Sequence, residues 1–144
     1  MTQALYRLAY FSRNIIDSSL DMSAEVQQIL HVCRLNNQKV GVTGALLFNN
    51  SCFAQVLEGP LDAVERTFER IQRDMRHSDV TVLELEPASE REFPEWSMAF
   101  AGCIEEHQAD FSSLAAATIQ RSGPGAETLF KLLHGLVLQE ETAR

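Results

Sequence analysis

Apolar residues recur along this chain with two different spacings, and each change of spacing marks a change of element. In LYRLAYFS, residues 5–12, they alternate. Tyr6, Leu8 and Tyr10 share one face; Leu5, Arg7, Ala9 and Phe11 share the other. That spacing predicts a strand. A polar connector, 13–22, precedes Ser23, which suits a helix N-cap. Val26, Ile29, Leu30 and Cys33 then follow at i, i+3, i+4 and i+7, the stripe of a helix lying on a sheet. The helix is expected to fade at Asn36-Asn37, since asparagine tolerates the left-handed C-cap. One turn past Cys33, Asn37 also reaches the stripe side. VTGALLFNNSCFAQVLEG, 42–59, is two apolar runs joined at Asn49-Asn50-Ser51, a β-hairpin. Its second run places Phe53, Gln55 and Leu57 on one face and Cys52, Ala54 and Val56 on the other. Pro60 opens a second helix, with the stripe Leu61, Val64, Phe68, Ile71 and Met75. Its end, RDMRHS, holds Arg76 and His77. These read either as caps on the helix dipole or as a local cluster for a phosphate. Strands are predicted at 80–87 and 96–101, the latter with Trp96, Met98 and Phe100 on one face.

The order β-α-β-β-α-β-β predicts a ferredoxin-like α+β sandwich, both helices on one face of a mostly antiparallel sheet. The opposite face would show Ala9, Phe11, Ala45, Leu47, Ala54, Val56 and Ala99, too apolar to meet water. Helices expected at 109–121 and 126–141, separated by Gly123-Pro124-Gly125, would cover it. The second has the stripe Leu129, Leu132, Leu133, Leu136 and Val137. Residues 1–101 thus read as the domain and 102–144 as a helical extension packed on its sheet.

Composition narrows the function classes. The 144 residues carry a net charge of -8, from 12 basic and 20 acidic side chains. That argues against a nucleic-acid or anionic-membrane footprint, which needs concentrated Lys and Arg. Cys33, Cys52 and Cys103 are widely spaced, without a CxxC, and read as buried hydrophobes rather than metal ligands or disulfide partners. No basic-then-apolar leader opens the chain, and no apolar run approaches a membrane span. A soluble cytoplasmic protein is expected. His31 falls off the helix stripe, and no Ser/His/Asp set, Cys–His pair or HExxH stands out, so catalysis is not expected. One residue stands apart: Gln55 points among apolar side chains. Its amide would cost about 1–3 kcal/mol there if left unpaired.

Pattern alone ends at an α+β domain. The particular residues go further. LYRLAYFS, RLNN, VTGALLFNNSCFAQVLEGP, IQRDMRHSDV and FPEWSM, in that order from about Leu5 to Phe100, resemble the BLUF family of flavin-binding blue-light sensors. The resemblance implies the same fold, with a non-covalent flavin edge-on between the two helices. Carried over by position, Tyr10 matches the photoactive tyrosine and Gln55 the key glutamine. Asn37 matches the asparagine on the flavin's pyrimidine edge. Trp96 and Met98 match the WxM pair that changes contacts in light, Met98 also facing the flavin. Arg76 and His77 match the pair flanking the ribityl chain and phosphate. Ile29, Leu46, Phe53, Leu57 and Ile71 match apolar positions around the ring, and Asp74 a polar position beside the tail. Two positions depart: Cys33 stands where several relatives have serine, and Asn36 replaces residues such as histidine.

The resemblance implies a photoreceptor rather than an enzyme. Tyr10 would donate an electron and then a proton, Gln55 would rearrange, and the flavin carbonyl would gain a stronger hydrogen bond. FAD is the expected cofactor, with FMN the alternative. Output would pass to a separate effector protein or to self-association in a homo-oligomer. The competing readings are a flavin- or small-molecule-binding module without light output, an enzyme on the same fold, and an oligomerisation domain.

Overall fold

A computed structural model describes residues 4–48, 50–91 and 99–103, the last five by backbone alone. The elements run β1 (Leu5–Asn14), α1 (Met22–Val40), β2 (Thr43–Phe48), β3 (Cys52–Pro60), α2 (Leu61–Gln72), β4 (His77–Pro87) and β5 (Ala99–Cys103). They build one five-stranded sheet in the order β4-β1-β3-β2-β5. Four strands pair antiparallel, whereas β5 lies parallel to β2, with Ala45 opposite Ala99. The expected element order and fold class hold.

The core forms where the predicted stripes meet the alternating strands. Val26 and Leu30 of α1 and Ala63 and Val64 of α2 pack on Leu8, Tyr10, Leu46, Phe53 and Leu57 of the sheet. On the second face Ala9, Phe11, Ala45, Ala54 and Val56 are each 0 % exposed, so it too is shielded from water. The extension predicted for 102–144, and the side chains of Leu47 and Ala99, lie outside the described residues. No helix of the described residues is long and apolar enough to cross a membrane.

Several boundaries differ from the sequence expectation, for local reasons. Asp21, not Ser23, caps α1; its side chain accepts from the Ser23 and Ala24 amides, and an aspartate there also favours the positive end of the helix dipole. The helix does not fade at Asn36-Asn37. It runs to Val40 and stops at Gly41, whose φ of 74° is left-handed and free of strain only in glycine. The Gly41 and Val42 amides both bond the Asn37 carbonyl, so Asn37 is an interior residue. Helix α2 closes at Gln72, leaving Met75 88 % exposed instead of in the stripe. β4 starts three residues early, which places His77 in a strand rather than at a helix end. β5 is described over Ala99–Cys103, ending two residues beyond the expected 101; the expected start at 96 lies outside the described residues.

Candidate functional site

The sheet register sets three residues in a row. Leu46 lies opposite Gln55, and Gln55 opposite Tyr10, across β2, β3 and β1. All three point toward the helices and are 2 % exposed. The Tyr10 hydroxyl donates to Gln55 Oε1, which answers the need of the buried amide. Burial pushes the Tyr10 phenol well above its ordinary pKa, and its neighbours Cys33 and Asp74 add to the rise. Tyr10 is therefore a neutral donor at any physiological pH. Its ring sits 5.4 Å from Phe68 and 6.4 Å, edge-on, from His77.

Cys33 of α1 closes the other side of Gln55. Burial pushes its thiol up, Asp74 adds to this, and a hydrogen bond from Gln55 works against it.

His77 is fixed from two sides. Nε2 lies 2.8 Å from the Ile71 carbonyl and Nδ1 2.7 Å from Ser12 Oγ. A carbonyl only accepts, so Nε2 carries a proton, and the Ser12 hydroxyl, which can donate or accept, meets Nδ1. Arg76 is held as firmly. It makes a bidentate pair with Asp74, Nη2–Oδ2 2.7 Å and Nε–Oδ1 2.9 Å, and reaches Glu25 at 3.4 Å and Gln28 at 3.2 Å on α1. Partial burial pushes the Asp74 carboxyl up, but the Arg76 hydrogen bonds outweigh it and hold the group below the usual range. Arg76 is raised in return, first by its bond to Asp74.

Between the helices and the sheet these groups surround a cleft of about 380 Å³. Ile29, Leu46, Phe53 and Ile71 form its apolar walls. Tyr10, Gln55 and Cys33 form its polar floor, with Asp74, Arg76 and His77 at its rim. A second cleft of similar size adjoins it. It shares Ile29, Cys33, Ile71, Asp74 and Arg76 with the first and adds Val32, Asn36, Asn37, Thr67 and Arg70. Asn37 is 1 % exposed. Its Oδ1 accepts no hydrogen bond, although the residue is engaged through other contacts.

Of the site residues expected from sequence, Tyr10, Ile29, Asn37, Leu46, Phe53, Gln55, Ile71, Asp74, Arg76 and His77 line these two clefts. Leu57 does not; it is buried in the core beside them. Trp96 and Met98 lie outside the described residues. Pattern reading gave Cys33 and Ser12 no role in the site. The signals were present: Cys33 precedes Asn37 by one helical turn, and Ser12 follows Tyr10 on the same strand face. Glu25 and Gln28 carried no local sign, being about fifty positions from Arg76.

The family described as sensors of blue-light using FAD matches residues 5–99. Photoactivated adenylate cyclase subunit beta of Euglena gracilis is 42% identical over 98 residues, 67% of this chain and 11% of that protein. The chain thus spans about a tenth of the length of such curated relatives. Among solved structures, the BLUF protein BlrB in its dark state aligns with a TM-score of 0.74 at 32% identity, covering 94% of this chain and 98% of that one. The photo-activated state of BlsA gives 0.73 at 28% identity, covering 92% and 94%. The matched segment carries β1 through β4 and every residue lining the two clefts, and on that basis the chain belongs to the BLUF family of flavin-binding blue-light sensors.

Proposed function

We propose that this chain senses blue light by switching the hydrogen bonds of Gln55, with Tyr10 as the redox partner and FAD as the flavin. The observation that carries the reading is the Tyr10–Gln55 hydrogen bond inside an interhelical cleft. The residues present suit a flavin. The cleft between the helices and the sheet is lined by both apolar and polar groups. Its walls match the ring faces, and the carboxamides of Asn37 and Gln55 match a heterocycle edge that both donates and accepts. Arg76 at the rim supplies positive charge toward a phosphate, and the family description names FAD.

When bound, the flavin supplies the blue-light chromophore and, once excited, an electron acceptor. Tyr10 supplies the electron. A buried phenol that loses an electron becomes a cation in an apolar site, which is costly unless its proton leaves too. The hydroxyl bonds to Gln55 Oε1, so the proton goes there. A glutamine protonated on Oε1 can rotate about its side-chain bonds, or can pass a proton from nitrogen to the flavin that has taken the electron, which would return it with that electron. When the electron and a proton return to Tyr10, the amide is left presenting its opposite end. The net change is one hydrogen-bond pattern exchanged for another, with no substrate turned over. Such a switch needs two arrangements close in energy, which a carboxamide offers because its two ends are nearly the same shape.

Trp96 and Met98, just before β5, are the residues through which the new pattern reaches the sheet edge; the FPEWSM match supports this role. The signal then passes to a separate effector protein. The test is an absorption spectrum of the purified protein before and after blue light. A yellow protein with a red shift that reverses in the dark is expected. Failure to take up FAD, or a bound flavin whose spectrum does not respond, would refute the reading.

A further inference from the structure

Strands β1 and β4 do not pair evenly. Their register shifts between Phe11 and Arg13, and Ser12 falls in the break. On the β4 side Asp79 has a φ of 53°, left-handed backbone that a side chain resists. Its carboxylate accepts from Arg13 and from the Ser78 hydroxyl, each at 3.1 Å. A break of this kind re-aims the side chains beside it. His77 stands at the start of β4, opposite Asn14, and its ring reaches back to Ser12.

Ser12 is 0 % exposed, and a buried hydroxyl needs a partner inside the protein. It meets His77 Nδ1 at 2.7 Å, while Nε2 donates to the Ile71 carbonyl of α2 at 2.8 Å. Bonds at two edges of an imidazole stop it from turning about its Cβ–Cγ bond. So fixed, the ring lies edge-on to two aromatic residues of the cleft, 6.4 Å from Tyr10 and 6.2 Å from Phe53. The Gln55 bond holds the tip of the Tyr10 phenol. It does not hold the plane of the ring, which could still turn about its own long axis. An electron leaves from the π system, so that plane matters to the transfer.

We propose that Ser12 is a positioning residue for the photoreaction: it clamps His77 on edge against Tyr10, and His77 in turn fixes the plane of the phenol. The inference rests on the reading of Tyr10 as the electron donor. The strained turn at Asp79 is then the means by which β4 delivers His77 to that place.

Nuclear magnetic resonance of the flavin-loaded protein with 13C-labelled tyrosine tests this in the dark, where only Tyr6 and Tyr10 contribute, the chain having 2 tyrosines. The two edges of the Tyr10 ring should give separate signals in the native protein and merged ones in Ser12→Ala, whose ring flips faster. Under limiting blue light Ser12→Ala should reach the full red shift about threefold more slowly, the loss expected from one aromatic edge contact. In His77→Phe, which has no ring nitrogen for Ser12 to meet, adding Ser12→Ala should change neither reading. If Ser12→Ala does not take up flavin, Ser12→Cys replaces it; it keeps the size, weakens the bond, and should slow the response by less. Merged Tyr10 signals in the native protein overturn the proposal. So does a native rate in the Ser12 variant, or an equal slowing with and without His77; the photoreceptor then still stands. A native protein without a red shift removes the proposed function itself, whatever its ring signals show.

Discussion

Strands β1 and β3 carry two polar pairs three residues apart, on opposite faces of one sheet. Toward the helices, Tyr10 faces Gln55; toward the second face, Arg7 faces Glu58. Both pairs are internal, and each is hydrogen-bonded across the same two strands. They differ in charge. Tyr10 and Gln55 are neutral, and reversing the amide exchanges bonds of similar strength. Arg7 and Glu58 form an ion pair of 3.0 Å, with the Glu58 side chain 0 % exposed and Arg7 18 %. Around them the bonding is redundant. Arg7 also reaches the Glu90 carbonyl, and Arg91 bonds Thr43 Oγ1 and the carbonyls of Glu58 and Gly41. The lesson is that one strand pair can carry both a lock and the proposed switch. A buried charge has a single satisfactory arrangement, whereas a buried carboxamide can have two.

The largest expected effect lies at the lock. Arg7→Met leaves a fully buried carboxylate without its ion-pair partner, and the protein should lose about 3 kcal/mol of stability. Urea unfolding measures this. Arg7→Met/Glu58→Leu should recover most of the loss, because a well-packed apolar pair removes the stranded charge. The red shift should persist in both variants, because neither residue lines the clefts. A single variant as stable as the native protein would mean that the pair locks nothing.

The switch should answer in the opposite sense, with a small effect on stability and a complete one on signal. Tyr10→Phe leaves Gln55 Oε1 without its donor and should cost about 1–2 kcal/mol. It should abolish the light-induced shift while flavin stays bound. Gln55→Leu should abolish it as well. In the double variant both polar ends are gone, so its cost should be less than the sum of the single ones. Equilibrium unfolding and difference spectra on the same samples separate the two effects. A red shift in either single variant would remove that residue from the mechanism.

The sequence exposed one of these pairs more plainly than the other. Alternation alone places Tyr10 and Gln55 on the helix side, since a strand's period is fixed by backbone geometry. The same period puts Arg7 opposite the switch face. Its partnership with Glu58 depends on hairpin register and on which strand pairs β1, and neither is local. Boundaries failed where two residues competed for one task. Asp21 and Ser23 both suit a cap, and Asn37 and Gly41 both suit a helix stop. At the helix stop burial decided: Asn37 lies on the packed stripe and is buried, whereas Gly41 is exposed and free to turn left-handed. The parallel pairing of β5 left no pattern in the residues. The rim also stayed hidden, because the Arg76–Glu25 contact joins a loop after α2 to the first turn of α1. The family motifs were what made the clefts legible, since periodicity cannot separate a cofactor wall from a core.

The smallest effects should appear in acid, and the two faces should again oppose each other. Asp74 at the cleft rim has its folded pKa held below the ordinary aspartate value of 3.8, since the Arg76 bonds outweigh its partial burial. Its contribution is therefore present above that value and is lost as pH falls through the lower folded pKa. Glu84 on β4 lies opposite Ala9, on the Arg7 face. Burial, then a hydrogen bond to Glu86 and its charge, push the Glu84 carboxyl above 4.5, against a smaller pull from Arg7. Its Oε2 is buried without a hydrogen-bond partner. The sign is reversed: this group favours the fold below 4.5, and that contribution is lost as pH rises through the raised folded value. Glu84→Gln should thus raise the melting temperature at neutral pH and confer nothing in stronger acid. Asp74→Asn should lower it at neutral pH, with the difference from the native protein closing only below 3.8. Both groups are partly exposed, so each effect should stay under about 1 kcal/mol. Melting curves across the acid range decide the matter. If both variants shifted stability in the same direction at neutral pH, the two carboxyls would not differ as their surroundings require.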